Sequence, residues 1–442
     1  TAHVVRMALQ SGVGVIWIDA ADASQIRYLL PGRHADCTWH EFRDFLSHSF
    51  TLPTGPADES SRPQDSAMVR WQRFLHERAR PSWFPPLYQC LLCLSGQKLP
   101  KFRLRPEDSL ANWNENWQKY LQLHPDADMR AAAEKALQPR FHHLDHLAEV
   151  YGRAYRATYL MVYLLAFLAT LSGLFGVLVP ELKAQFVGVE LLLIAGMATL
   201  VWIGRRRSWH ERWLDYRAVA EKLRHARLGL WTGQSFVSPS STGLSPGSAW
   251  TEWLARAVAR EIPLPNATVD ADYCRNALRG LDRYELKGQL RFNSNTAKRQ
   301  HRMHHLFDLG EVALLAVLAV VLTAFLALWA GTQLDWLHPP AGLKSNLKLA
   351  VSFSGIAIPA LGAVLLGIRA QGEFIAYSER ATETAKHIAA VREELGPLLD
   401  ENLERPEFED VVEVSDAAVA ALSTDVHAWR SVYRRKSLSV AA

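Results

Sequence analysis

The sequence has few cysteines and almost no excess of charge of either sign. It holds four cysteines in 442 residues and a net charge of +4. Four cysteines in so long a chain do not form a disulfide framework, and reduced thiols fit soluble parts in the cytoplasm. Binding to nucleic acid requires a clustered basic face rather than a slight overall excess, so no nucleic-acid partner is predicted.

The sequence also lacks the motifs of common enzyme and metal sites. It has no phosphate-binding loop, no H-E-x-x-H motif, no paired carboxylates in an apolar run and no Ser/His/Asp grouping. We therefore predict neither an enzyme activity nor a cofactor. Cys90 and Cys93 have the spacing of zinc ligands, but no second such pair accompanies them, so no metal site is predicted. The chain also begins at Thr1 without an initiator methionine or a signal peptide, so we expect further residues before it.

Apolar residues are concentrated in four blocks. They fall at about residues 159–179, 186–204, 312–331 and 347–368. Each block has close to the roughly 20 residues that a helix needs to cross a bilayer, and each is nearly free of charge. The sequence therefore predicts a mainly α fold with two transmembrane hairpins and long cytoplasmic helices. A buried helix pair in a large soluble core is the less favoured alternative.

Basic residues flank the blocks on one side only. The flanks before the first and third blocks and after the second and fourth carry Arg153, Arg156, Arg205, Arg206, Arg207, Arg212, Lys298, Arg299, Arg302 and Arg369. The two hairpin links hold only Lys183, Lys344 and Lys348. Because basic residues stay on the cytoplasmic side, both termini are predicted to be cytoplasmic.

Composition divides the chain into six regions. They are a partial Rossmann-like segment at 1–50, a linker and helical region at 51–138, a helix–hairpin–helix unit at 139–232, a linker at 233–249, a second such unit at 250–400 and a C-terminal helix and tail at 401–442. The two units repeat at a spacing of roughly 150 residues, which indicates a duplication with diverged sequence.

The N-terminal segment is the part that favours an α/β fold. Residues 13–19 form a continuous apolar run that ends in an acid, which is typical of a buried parallel strand. Ligands of doubly wound sheets lie at the carboxyl ends of such strands, so Asp19 is a candidate ligand contact. The slightly favoured alternative is that Asp19 only caps the next segment.

Polar residues in or beside the blocks are candidates for lining a pore. Glu190 is an acid within the second block, near its start, and ionisable groups inside a membrane are costly and often functional. Glu311 and Asp308 precede the third block and could attract cations in an oligomer, although a solvated helix start is the favoured reading. Ser352 and Ser354 give the fourth block polar positions suited to helix packing, which we favour, or to a wet path.

Five segments resemble known families. Residues 144–159, 213–224 and 286–298 resemble segments of the SLATT membrane effectors of bacterial conflict systems, while residues 4–9 and 12–18 resemble the end of a SLOG domain. The resemblance implies a Rossmann-like module that senses a nucleotide-derived ligand. It also implies a membrane part that forms a pore in the inner membrane of a bacterium, as part of antiviral defence. It also implies a Gly-rich phosphate loop, which we expect before Thr1.

Three functional hypotheses remain open from the sequence. The leading hypothesis is a nucleotide-gated pore, which requires a homo-oligomer in the lipid bilayer because four spans rarely enclose a conduit. The second is a secondary transporter built from two repeated hairpins. The third is a membrane-anchored signalling scaffold without conductance.

Overall fold

The structure of the protein is a computed structural model. It covers residues 5–6, 9, 14–18, 25–30, 36–50, 66–77, 87–96, 107–234, 249–334, 336, 340–400 and 405–434. The strands and the first helices are β1 (Val15–Ile18), β2 (Ile26–Leu29), α1 (Trp39–Phe50), α2 (Ala67–Leu75), α3 (Leu87–Cys93) and α4 (Glu107–Gln122). The helices that follow are α5 (Ala127–Leu178), α6 (Lys183–Arg206), α7 (Trp209–Leu228), α8 (Ala249–Arg260), α9 (Ala271–Gly280), α10 (Lys287–Gln333), α11 (Ala341–Gly372), α12 (Phe374–Leu398) and α13 (Phe408–Arg434).

The N-terminal strand differs from the sequence prediction. β1 is a strand as expected, but it pairs antiparallel with β2, with Val15 opposite Leu29. The side chain of Ile18 is 53% exposed, so the strand is not buried. Only residues 19–25 separate the two strands, whereas a parallel crossover needs about a dozen or more. A parallel Rossmann-like segment is therefore not found in the described part of the chain, and Asp19 lies outside the described residues.

The four apolar blocks all lie in helices, as predicted. The blocks fall within α5, α6, α10 and α11, and each lies in a helical stretch long and apolar enough to cross a membrane. A single 3₁₀ turn at Pro180–Leu182 joins α5 to α6, which confirms the tight first hairpin. Helix α11 continues through Pro359 without a break.

Two of these helices extend far beyond their apolar part. Helix α5 has 52 residues, which corresponds to about 78 Å. Its first turn is capped by Asp126, whose carboxylate accepts hydrogen bonds from the backbone N–H groups of Asp128 and Met129. Helix α10 has 47 residues and follows a π-helical segment at Leu281–Leu286. The apolar span and part of the polar body are thus one continuous helix in each half.

The two halves repeat the same chain path. In each, a long helix leads into a hairpin, and a returning helix packs back along the long one, α7 on α5 and α12 on α10. Both return points use a residue other than glycine in the left-handed region, with φ of 49° at Ser208 and 51° at Glu373. Such residues are uncommon, so the same turn at the same place in both halves is a specific shared feature.

The four apolar helices pack as a row. Their main contacts run in the order α6, α5, α11, α10. In the centre, the rings of Phe175 and Phe353 lie 5.6 Å apart, and Gly367 allows the ring of Tyr163 to approach α11. The outer helices are largely uncovered, with Leu192 73% and Val320 68% exposed. Apolar side chains left open in this way fit a lipid or protein neighbour rather than water.

The polar body joins the two halves through buried charge. The guanidinium of Arg227, on α7, forms an ion pair with Glu285 in the π-helical segment, and both side chains are almost fully buried. The rings of Trp117 and Tyr120 lie 4.6 and 4.5 Å from the Arg227 guanidinium. A buried charge without its partner is strongly destabilising, so this pair favours one arrangement of the halves.

Candidate functional site

Glu190 lies inside the first hairpin rather than on its uncovered face. Its Oε2 is 3.3 Å from the position that a Cβ atom would occupy at Gly173 on α5. The missing side chain at Gly173 makes room for the carboxylate between the two helices. The structure thus places the only acid of this apolar block against protein, as expected for an ionisable group at membrane depth.

The serines of α11 lie at a similar level along the spans. Phe353, between Ser352 and Ser354, contacts Phe175, which is two residues from Gly173. The hydroxyl of Ser354 donates to the carbonyl of Val351 in its own helix at 3.2 Å, and Ser352 is exposed. Neither serine forms a hydrogen bond to a neighbouring helix in the described residues, so the role in helix packing that we favoured has no hydrogen bond to support it.

Glu311 lies at the other end of the spans and is paired with a cation. Its Oε2 is 3.1 Å from Nη2 of Arg369, whose Nη1 is 3.0 Å from Oδ1 of Asp308. One arginine of α11 therefore binds both carboxylates of α10. From the sequence, Arg369 indicated only the orientation of the fourth block, and its ion pairs with Asp308 and Glu311 were not predicted. The pore-lining role of Glu311 stays a prediction, although its carboxylate already forms an ion pair with Arg369.

A cavity that sequence reasoning did not find lies beside this end of the spans. It has a volume of about 480 Å³ and is lined by side chains of α3, α5, α7, α10, α11, α12 and α13. At its membrane side, Nε2 of Gln371 donates to the Tyr155 hydroxyl at 2.6 Å. Burial raises the pKa of Tyr155, so this hydroxyl stays neutral. The volume falls within the range of small-molecule sites, which is about 300–1,000 Å³.

Part of the charge in the cavity is balanced internally. Glu221 accepts from Nη1 of Arg224 at 2.7 Å and also pairs with Arg217. Nη1 of Arg217 donates to Asp145 at 2.9 Å. Burial alone would raise the pKa of Glu221, but the two arginines outweigh it, so the pKa is lowered and the carboxylate is ionised.

Two further arginines of the cavity have no carboxylate partner among the described residues. The guanidinium of Arg156 lies 5.0 Å from the ring centre of Tyr88 and 5.2 Å from that of Trp213. The Nε atoms of Arg156 and Arg299 are both buried without a hydrogen-bond acceptor. Gln300 is only 1% exposed, and its Oε1 has no donor. The cavity therefore has two guanidinium groups without a carboxylate partner and one amide oxygen without a hydrogen-bond donor among the described residues.

No group of three or more histidine, cysteine or carboxylate side chains that could hold a metal ion occurs within the described ranges. Cys90 and Cys93 lie on α3, where Sγ of Cys93 donates to the carbonyl of Gln89 at 3.2 Å. Local helical hydrogen bonding accounts for this thiol.

Comparison of the chain with protein-family models, curated proteins and solved structures gave no match.

Proposed function

We propose that the protein is a ligand-controlled membrane effector whose subunits assemble into an ion-conducting pore in a bacterial cell membrane, with both termini in the cytoplasm. The observation that carries the proposal is the path of α5 and α10. Each runs without a break from the polar cavity into an apolar span. A ligand that shifts these helices at the cavity also shifts the spans.

Assembly into a homo-oligomer is part of the proposal. Four spans packed as a row do not surround a conduit, and the outer helices α6 and α10 offer uncovered apolar faces. Closed rings of identical subunits use such faces. In this arrangement Glu190 and the serines of α11 would share one level of the pore.

The resemblance to SLATT and SLOG proteins supplies the biological part of the proposal. It favours a role in defence against phage and a nucleotide-derived ligand bound by the N-terminal region. These two points rest on residues 4–9, 12–18, 144–159, 213–224 and 286–298 of the sequence.

A transporter is the second candidate, because two repeated hairpin units meet around a polar cavity. Substrate sites of transporters lie at the interface between repeats, though near the middle of the bilayer. Saturable, substrate-specific exchange would favour the transporter, whereas leakage that does not saturate would favour the pore.

Ion flux through liposomes that carry the purified protein tests the pore. We expect cation leakage that Glu190→Gln reduces several-fold, because the carboxylate attracts cations and its amide does not. Glu181→Gln, an exposed position in the adjacent link, is the matched control and should leave the flux close to wild type.

Tight liposomes under all ligand conditions, with the protein folded and oligomeric, would overturn the pore. Equal flux in wild type and Glu190→Gln would remove Glu190 from the pathway.

A further inference from the structure

We propose that the cavity beside the spans binds an anionic ligand that carries a phosphate group and a hydrogen-bond donor, held by Arg156, Arg299 and Gln300. This inference rests on the proposed function, since it names the ligand class and the site through which the membrane part is controlled.

The charge balance of the cavity points to an anion. Four arginines and three carboxylates line it. Asp145 and Glu221 are bound by Arg217 and Arg224, while Glu149 accepts from Nη2 of Arg153, outside the cavity, at 2.6 Å. Arg156 and Arg299 therefore remain without a carboxylate partner among the described residues.

The side chain of arginine is well suited to binding phosphate. The planar guanidinium presents its N–H groups in a fork that matches two phosphate oxygens. Arg156 is also held in place before any ligand arrives, because Tyr88 and Trp213 lie close to its guanidinium. A site ordered in advance loses less entropy on binding.

Gln300 adds a requirement for a hydrogen-bond donor on the ligand. Its side chain lines the cavity and is 99% buried, yet Oε1 accepts no hydrogen bond. A buried acceptor that stays unpaired is destabilising, so a ligand hydroxyl or amine that donates to it would relieve this cost. A phosphate ester with a nearby hydroxyl meets both requirements.

The two cations lie on the two helices that continue into the membrane. Arg156 is on α5, three residues before the first apolar block, and Arg299 is on α10 before the third. An anion held by both arginines would link the first half of the protein to the second. Binding would thus change the relation between the two hairpins.

Two sources can supply this chemistry, and the test separates them. Soluble phosphate esters are represented by ATP and AMP, measured by titration calorimetry with the purified protein in a neutral detergent. The headgroup of an anionic lipid is represented by short-chain phosphatidylglycerol, measured as a rise in the unfolding temperature, with phosphatidylcholine as the comparison.

We expect saturable binding of at least one probe, weakened about tenfold or more by Arg156→Gln and by Arg299→Gln, because each removes a charged hydrogen bond. Arg291→Gln, an exposed arginine two turns earlier on α10, is the matched control and should bind like wild type. Gln300→Leu should stabilise the empty protein, since it removes the unpaired acceptor, and should weaken binding.

Binding of ATP or AMP would assign the site to a soluble phosphate ester, and a response to phosphatidylglycerol alone would assign it to lipid. Either result supports the inference. The absence of saturable binding for all probes, or equal binding in wild type and both arginine variants, would overturn it. The binding measurements do not depend on ion flux. If the protein binds a probe but the liposomes do not leak, only the pore proposal is contradicted.

Discussion

At the scale of single residues, His124 shows how burial fixes a protonation state. It is 1% exposed and lies beside Asp126, the cap of α5. Its Nδ1 accepts from the N–H of Asp126 at 3.2 Å, so the neutral ring carries its proton on Nε2, 3.3 Å from the hydroxyl of Tyr273. That hydroxyl donates to the carbonyl of Trp231 at 2.6 Å. A second ring proton would face the Asp126 N–H group, and burial lowers the pKa of His124 to about 4.

This arrangement predicts a loss of stability in mild acid. His124 becomes protonated below about pH 6.5, its ordinary pKa, in the unfolded chain, but only below about pH 4 in the folded protein. Folding therefore weakens as pH falls through this window, by up to about 3 kcal/mol from His124 alone. The free energy of unfolding, measured in detergent at about pH 7.5 and pH 5, should fall less in His124→Phe than in wild type. The same substitution at the exposed His387 should keep the wild-type slope. Equal slopes in all three proteins would contradict the argument.

At the scale of helices, the packing of α7 on α5 depends on a close approach at Gly152. A Cβ atom there would lie 2.7 Å from Nε1 of Trp213, whose ring is 6% exposed and stacks on Tyr155 at 5.4 Å. The indole is confined on several sides, so it has little room to move away. A side chain at position 152 would push the two helices apart.

Gly152→Ala should therefore lower the free energy of unfolding by about 1–3 kcal/mol, the usual range for overpacking. Gly288→Ala is the matched control, because its Cβ would meet nothing within 4 Å. At that exposed helical position alanine should stabilise the protein by up to about 1 kcal/mol. Chemical unfolding in detergent measures both, and a stable Gly152→Ala protein would show that the contact is looser than described.

The helices also show what sequence patterns can and cannot predict. Length and apolar composition located the four helices that, within the described residues, are long and apolar enough to cross a membrane, since these properties act within one segment. Within the run at residues 13–19, Val15–Ile18 form the expected strand, but its antiparallel pairing was not predicted, because a short apolar run carries no information on pairing direction.

At the scale of the whole molecule, the candidate sites differ in how far they could be predicted. Glu190 stands out in the sequence as an acid within an apolar block, so its placement inside the first hairpin agrees with that pattern. The cavity could not be predicted, because its lining comes from seven helices far apart in the chain. Arg156 and Arg299 look like ordinary basic flanks until the fold brings them to one space.

The central claim is that two hairpins cross the membrane and that their links face away from a cytoplasmic helical body. Labelling of intact bacterial cells with a membrane-impermeant maleimide tests it most directly, after the four native cysteines are replaced by alanine. Single cysteines at Glu181 and Gly342, in or next to the links, should react in intact cells. Cysteines at Glu261 and Lys386, both exposed on the body, should react only after the cells are permeabilised. Labelling of the body in intact cells, or protection of both links, would contradict the account.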